Sequence, residues 1–159
     1  MPSVLFVCTA NRFRSPLAAA AMRRKIVEQG DQGSYHIASA GTWTVSGLPA
    51  TSAALLAAQQ AGLDLVGHFS VPVDAVTLEA YDLILVMEAG HKEALAYEFP
   101  MVSKRVHLLS EVVDGLAYDI PDAASDEEAL EIASDLTGLI ERGYERICQL
   151  AVSLQRKNL

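Results

Sequence analysis

Cys8 and Arg14 stand six residues apart in Val7-Cys-Thr-Ala-Asn-Arg-Phe-Arg-Ser-Pro16, with Ser15 and Pro16 directly after. Those residue types at that spacing suit capture of an oxyanion and covalent attack on it. Backbone N–H groups from Thr9 to Arg14, curled inward, form a concave nest for an anion. A helix that starts near Ser15-Pro16 aims the positive end of its dipole at the same place. The Arg14 guanidinium is a planar fork that matches two phosphate oxygens. Thr9, Ala10, Asn11, Arg12, Phe13, Arg14 and Ser15 are therefore the candidate phosphate cradle. Cys8 is the candidate nucleophile. Helix N-termini and nearby cations lower a thiol's pKa from about 8.5 to roughly 3.5–7.5, and the Ser15 hydroxyl adds a hydrogen bond to a thiolate. A thiolate below bound phosphorus is what covalent phosphoryl transfer needs. The same N–H groups and Arg14 would hold the equatorial oxygens of the transition state. The plainer reading makes Cys8 a small core hydrophobe. A buried strand before it and a Ser-Pro helix start after it favour the chemical one.

The elements that must position this loop follow from the pattern around it. Ser3–Val7 is a short continuous apolar run, the mark of a strand buried on both faces. Leu17–Val27 is Ala-rich and helical, with Ser15 as its expected N-cap, Pro16 at the first helical position and Gly30 as its stop. Tyr35–Ser39 reads as a second strand, Gly41–Gly47 as a loop that holds Trp43, and Pro49–Ala61 as a helix. Asp82–Met87 and Arg105–Leu109 read as strands, with a short helix at His91–Tyr97 between them. Gly115–Ala124 is a loop. Asp126 to about Leu154 is a long amphipathic helix, its apolar positions running from Leu130 and Ile132 to Ile147 and Leu150. Strands that alternate with helices predict an α/β fold, a parallel sheet with helices on both faces. Ligands of such folds sit beyond the carboxyl ends of the strands, which is where Cys8 falls.

The 159 residues amount to one domain, 1–159, and 51% hydrophobic residues provide a filled core. A net charge of −8 argues against nucleic-acid binding, which needs a basic face. It also means that any phosphate site must be positive locally. No apolar run approaches the ~18 residues of a membrane span, and Met1–Val7 lacks the flank of a signal peptide. No membrane association and a cytoplasmic location are expected. Two cysteines make a disulfide scaffold improbable. His36, His68, His91 and His107 include no i, i+4 pair, so no metal site is expected.

The sequence resembles the low-molecular-weight protein tyrosine phosphatases. Cys8–Pro16 resembles their phosphate loop, and Ser39-Ala-Gly-Thr42 a second signature. Gly62-Leu-Asp64 with His68-Phe-Ser70 resembles a third, and Asp82–Met87 the third strand. Asp119-Ile-Pro-Asp122 resembles the loop of the general acid. These motifs are collinear over nearly the whole chain. The resemblance implies a flavodoxin-like, doubly wound, four-stranded parallel sheet. It implies hydrolysis of phosphate monoesters, phosphotyrosine in proteins or small phosphomonoesters, through a phosphocysteine and with no cofactor. Cys8, Arg14 and Asp122 would be catalytic, with Asp119 a rival acid. Asn11, Ser15, Ser39 and His68 would support the loop, while Arg12 and Trp43 would wall the substrate cleft.

The chain departs from the family pattern where Ala10 replaces the usual Gly, Phe13 a second Cys, Val71 an Arg, and Ala123-Ala124 a Pro and an aromatic. Ala10 fits only with φ below zero. Cys148, in the last helix, is expected to be buried and inert. Other readings are an arsenate reductase, which needs two further cysteines for its disulfide relay, a phosphoarginine or other non-tyrosine phosphatase, and a catalytically weak phosphate-sensing module.

Overall fold

The computed structural model describes residues 1–155. Strands β1 (Ser3–Cys8), β2 (His36–Gly41), β3 (Leu83–Val86) and β4 (Val106–Leu108) form a sheet in the order β2-β1-β3-β4. Every neighbouring pair is parallel. β1 and β3 are buried at every position, as continuous apolar runs covered on both faces must be. In register, Val4 lies beside Ile37 and Leu83, and Cys8 beside Gly41. At the amino end, Asp82 ties β3 to β1 by accepting from the Ser3 backbone N–H at 2.9 Å and from the Ser3 hydroxyl at 3.0 Å.

The alternation of side chains divides the core in two. On one face Val4, Phe6, Leu83, Leu85 and Met87 meet α1 (Arg14–Glu28), α2 (Ser52–Gln60), α5 (Leu109–Asp114) and α6 (Asp126–Leu154). On the other, Leu5, Val7, Ile84 and Val86 meet α3 (Ala75–Glu79), α4 (Ala89–Glu98) and a 3-10 helix (Pro100–Arg105). This is the doubly wound, flavodoxin-like α/β architecture that the sequence predicts. α6 lays Ile132, Leu136, Leu139, Ile140, Tyr144 and Ile147 into the first layer. Its amino end is capped by Ser125, whose hydroxyl accepts from the Glu128 N–H at 3.2 Å.

Three expectations change. Helix α1 begins at Arg14, and its N-cap is Phe13, which makes no side-chain cap. Ser15 is no cap because its hydroxyl is engaged with Cys8 and Asn11. Helix α2 begins at Ser52 with Thr51 as cap, not at Pro49, which instead forms an isolated bridge with Phe69. Helices α3 and α5 and the 3-10 helix, unassigned in the sequence, hold five or six residues each. Cys148 is 7% exposed and unpaired with another cysteine. Burial pushes its thiol pKa up, against the pull of hydrogen bonds from Tyr35 and Tyr144.

Candidate active site

Cys8 is the last residue of β1, at the point where the chain has placed β2 on one side and β3 on the other. A parallel sheet opens its crevice at such a switch of direction. The Cys8 Sγ lies 2.9 Å from the Ser15 Oγ. The direction of that bond follows from Asn11. The Val71 backbone N–H donates to Asn11 Oδ1 at 2.9 Å, which fixes the amide orientation. Asn11 Nδ2 then donates to Ser15 Oγ at 2.8 Å and to Ser39 Oγ at 2.9 Å. Ser15 accepts from Asn11, so its own proton is available to a thiolate on Cys8, the alternative acceptor being the Ala40 carbonyl at 3.4 Å.

Asn11 is fully buried and has a φ of 56°. It takes the left-handed position of the loop, while Ala10 is not among the positive-φ residues, as its Cβ requires. His68 reaches the Asn11 carbonyl with Nε2 at 2.6 Å. Ser39 and His68 thus both hold the loop through Asn11. Gly41 allows close approach from β2: a Cβ there would stand 2.6 Å from the Thr9 carbonyl oxygen.

Arg14 is 2% exposed. Its Nη1 donates to Glu88 Oε2 at 2.8 Å and to the Ile120 carbonyl at 2.7 Å. Nε and Nη2 make no hydrogen bond to the described residues, which leaves one edge of the fork for two oxygens. The backbone N–H groups of Ala10 to Arg14 likewise donate to no group among the described residues. Donors grouped in this way make a nest suited to an anion.

Cys8, Ala10, Arg12, Phe13 and Arg14 line a cavity of about 330 Å³, closed on the far side by Asp122, Ala123, Ala124, Ser125 and Asp126. Asp122 lines the same cavity as Cys8, its Oδ1 3.9 Å from Arg14 Nε. Asp119 does not: its Oδ1 accepts from the Ala89 N–H at 2.8 Å and so caps α4. Arg12 lines the cavity, its Nε donating to the Pro49 carbonyl at 2.8 Å. Trp43 does not. Its backbone N–H donates to the Thr9 carbonyl, but the residue is 85% exposed and absent from the cavity lining. Thr51 and Ala53, at the start of α2, take the wall instead.

Two site residues escape the sequence reading. Glu88, the N-cap of α4, grips Arg14, and His91 completes its capping box. The usable signal is Glu88-Ala-Gly-His91 just past the carboxyl end of β3, the edge where ligands gather.

Residues 3–158 match the family described as low molecular weight phosphotyrosine protein phosphatase. A protein-arginine-phosphatase of Geobacillus stearothermophilus is 30% identical over 146 residues, covering 91% of this chain and 95% of the relative. The low molecular weight protein-tyrosine-phosphatase YfkJ of Bacillus subtilis is 31% identical, covering 99% and 98%. The crystal structure of the tyrosine phosphatase Wzb from Escherichia coli K30, in complex with sulphate, superposes with a TM-score of 0.82 at 30% identity over 92% of this chain and 99% of that one. A thiol at the end of the first strand, beneath a loop of unanswered amide donors and a clamped guanidinium, agrees with those likenesses: the chain belongs to the low molecular weight phosphotyrosine protein phosphatase family.

Proposed function

We propose that this phosphoric monoester hydrolase removes phosphate from phosphotyrosine in proteins, and from small aryl phosphates, with Cys8 as nucleophile, Arg14 as oxyanion clamp and Asp122 as general acid and base. The reading rests on one observation above the others: Cys8, the open edge of Arg14 and Asp122 share a single cavity. The Cys8 thiolate attacks phosphorus, a P–S bond forms and the P–O bond to the leaving group breaks. Asp122 gives its proton to the departing oxygen. Asp122 then takes a proton from water, which attacks phosphorus and releases inorganic phosphate and the thiolate. The Ser15 hydroxyl, aimed at sulfur by Asn11, supports the anionic form in both steps. A thiolate mechanism suits a reducing compartment, so the cytosol is its proposed setting.

A second reading, phosphoarginine as substrate, is favoured by the protein-arginine-phosphatase relative and by Asp126 in the cavity wall, a carboxylate able to face a guanidinium. Arg12 on the same wall opposes it, because a fixed cation repels the guanidinium that carries the phosphate.

Hydrolysis of an aryl phosphate by wild type and four variants tests the mechanism. Cys8→Ser and Arg14→Ala abolish turnover. Asp122→Ala lowers kcat by about 10² to 10⁴, and Asp119→Ala leaves the chemistry in place. Full activity in Cys8→Ser ends the proposal, and a crippled Asp119→Ala beside an unaffected Asp122→Ala moves the acid. Phosphotyrosyl, phosphoseryl and phosphoarginyl peptides then rank the substrates.

A further inference from the structure

We propose that His91 is a positioning residue of the phosphate site. As a neutral ring with its proton on Nε2, it locks Thr9 of the loop and the Glu88 that grips Arg14 into one arrangement, and it releases both when it takes a second proton. The inference deepens the phosphatase reading and rests on it.

Hydrogen-bond directions decide the tautomer. The Glu88 backbone N–H lies 3.1 Å from His91 Nδ1. A backbone N–H only donates, so Nδ1 accepts and carries no proton. In a neutral imidazole the proton is then on Nε2, which lies 2.8 Å from Thr9 Oγ1. Thr9 therefore accepts, and its side chain, one residue after Cys8, is held by the first turn of α4. The other arm of the same capping box is the Glu88 carboxylate, which accepts from the His91 backbone N–H and from Arg14 Nη1 at 2.8 Å. One imidazole thus contacts both Thr9 of the loop and the Glu88 that holds Arg14.

His91 is 6% exposed. The charged groups that face it are Arg14 from α1, Glu88 from the cap of α4, and Asp119 and Asp122 from the loop before α6. Burial is the strongest influence and, with Arg14, lowers the pKa below the ordinary histidine value, while the three carboxylates pull it back. The ring is neutral near neutral pH, as its hydrogen bonds require. Protonation puts a donor on Nδ1 against the Glu88 N–H, two donors head to head. It also draws the Glu88 carboxylate, already 3.5 Å from Nε2, towards the imidazolium and away from Arg14.

His91→Gln and His91→Leu separate positioning from packing. Gln at this place of a capping box accepts from the cap N–H and keeps an N–H for Thr9, but it does not titrate. Sulfate is the probe, since its charge is constant over the range used, and calorimetric titration reads its Kd. At about pH 7.5, where histidine is ordinarily neutral, His91→Leu binds sulfate about tenfold more weakly and His91→Gln binds within about twofold of wild type. Towards about pH 5 wild type weakens relative to His91→Gln by roughly threefold or more. The kcat/KM ratio for an aryl phosphate follows the same course. Imidazole ¹⁵N shifts at neutral pH show a protonated Nε2 and a bare Nδ1. A flat ratio, the opposite tautomer, or a His91→Leu that binds like wild type overturns the proposal. If His91→Leu does not fold, the His91→Gln ratio and the tautomer decide. A wild type that binds no sulfate overturns this inference and the phosphatase reading together, whereas sulfate binding with a flat ratio overturns this inference alone.

Discussion

Asn11 occupies a left-handed backbone position, fully buried, with its amide bonded to Ser15, Ser39 and the Val71 N–H. Two effects can be told apart there. Asn11→Gly keeps the backbone conformation and loses the three bonds, each worth about 1 kcal/mol. Asn11→Ala loses the bonds and adds a strain of about 1–2 kcal/mol for a Cβ in that region. Urea unfolding is expected to show a loss of roughly 2–4 kcal/mol for Asn11→Gly and a further ~1 kcal/mol for Asn11→Ala. Equal losses would mean that the backbone relaxes out of its left-handed state at no cost. In either variant Ser15 is no longer turned towards Cys8, so kcat falls with stability. Among the acidic residues, the same local reasoning divides labour: Asp119 completes a helix end, and Asp122 faces the cavity.

At the scale of elements, two glycines of α6 behave oppositely. Glycine within a helix is less stable than alanine by roughly 0.5–1 kcal/mol, so propensity alone predicts that both Gly138→Ala and Gly143→Ala stabilise. A Cβ on Gly138 meets only the far end of Arg142 at 3.4 Å. A Cβ on Gly143 would stand 2.4 Å from Val113 Cγ2, on α5. Gly143 is there so that α5 and α6 can touch, and the short α5 leads directly into the loop that carries Asp122. The expected outcome is a higher urea midpoint for Gly138→Ala, by about 0.5–1 kcal/mol, and a lower one for Gly143→Ala, by roughly 1–3 kcal/mol. Pairing Gly143→Ala with Val113→Ala should recover part of that loss, because the two changes share one contact.

For the whole molecule, the response to acid is set by two histidines before the carboxylates titrate. Burial lowers the pKa of His91, and burial followed by the nearby Lys92 lowers that of His107. An unfolded histidine titrates near 6.5, so below that pH the unfolded chain binds more protons than the folded one. Stability from these two groups is complete above about pH 6.5 and declines as pH falls through their lower folded values. A second decline comes later. The Arg142 hydrogen bond holds the Asp114 carboxyl down at about 2, and its contribution is lost only between about pH 4 and that value. Thermal unfolding followed by circular dichroism should show Tm falling from about pH 6.5 downwards. A His91→Gln, His107→Gln double variant should flatten that first slope and leave the second. An unchanged slope would place the acid sensitivity elsewhere.

Features that act within a few residues were open to reading from the chain alone. The strand end at Cys8, the loop to Arg14 and the helix after it lie within one short segment, so little choice of geometry remained. The unbroken apolar runs of β1 and β3 and the repeating stripe of α6 likewise announced themselves. Helices α3 and α5 did not, because five or six residues are too few to display a period. Glu88 and His91 joined the site only because β3 lies beside β1, which places α4's amino end against a loop 74 residues earlier in the chain. Ser15 left its capping role because Asn11, Ser39 and Cys8 converge on its hydroxyl. Trp43 is exposed and outside the cavity lining although its backbone N–H is bonded to the Thr9 carbonyl. Each of these outcomes depends on which distant groups compete for one side chain, and that competition exists only once the sheet has brought them together.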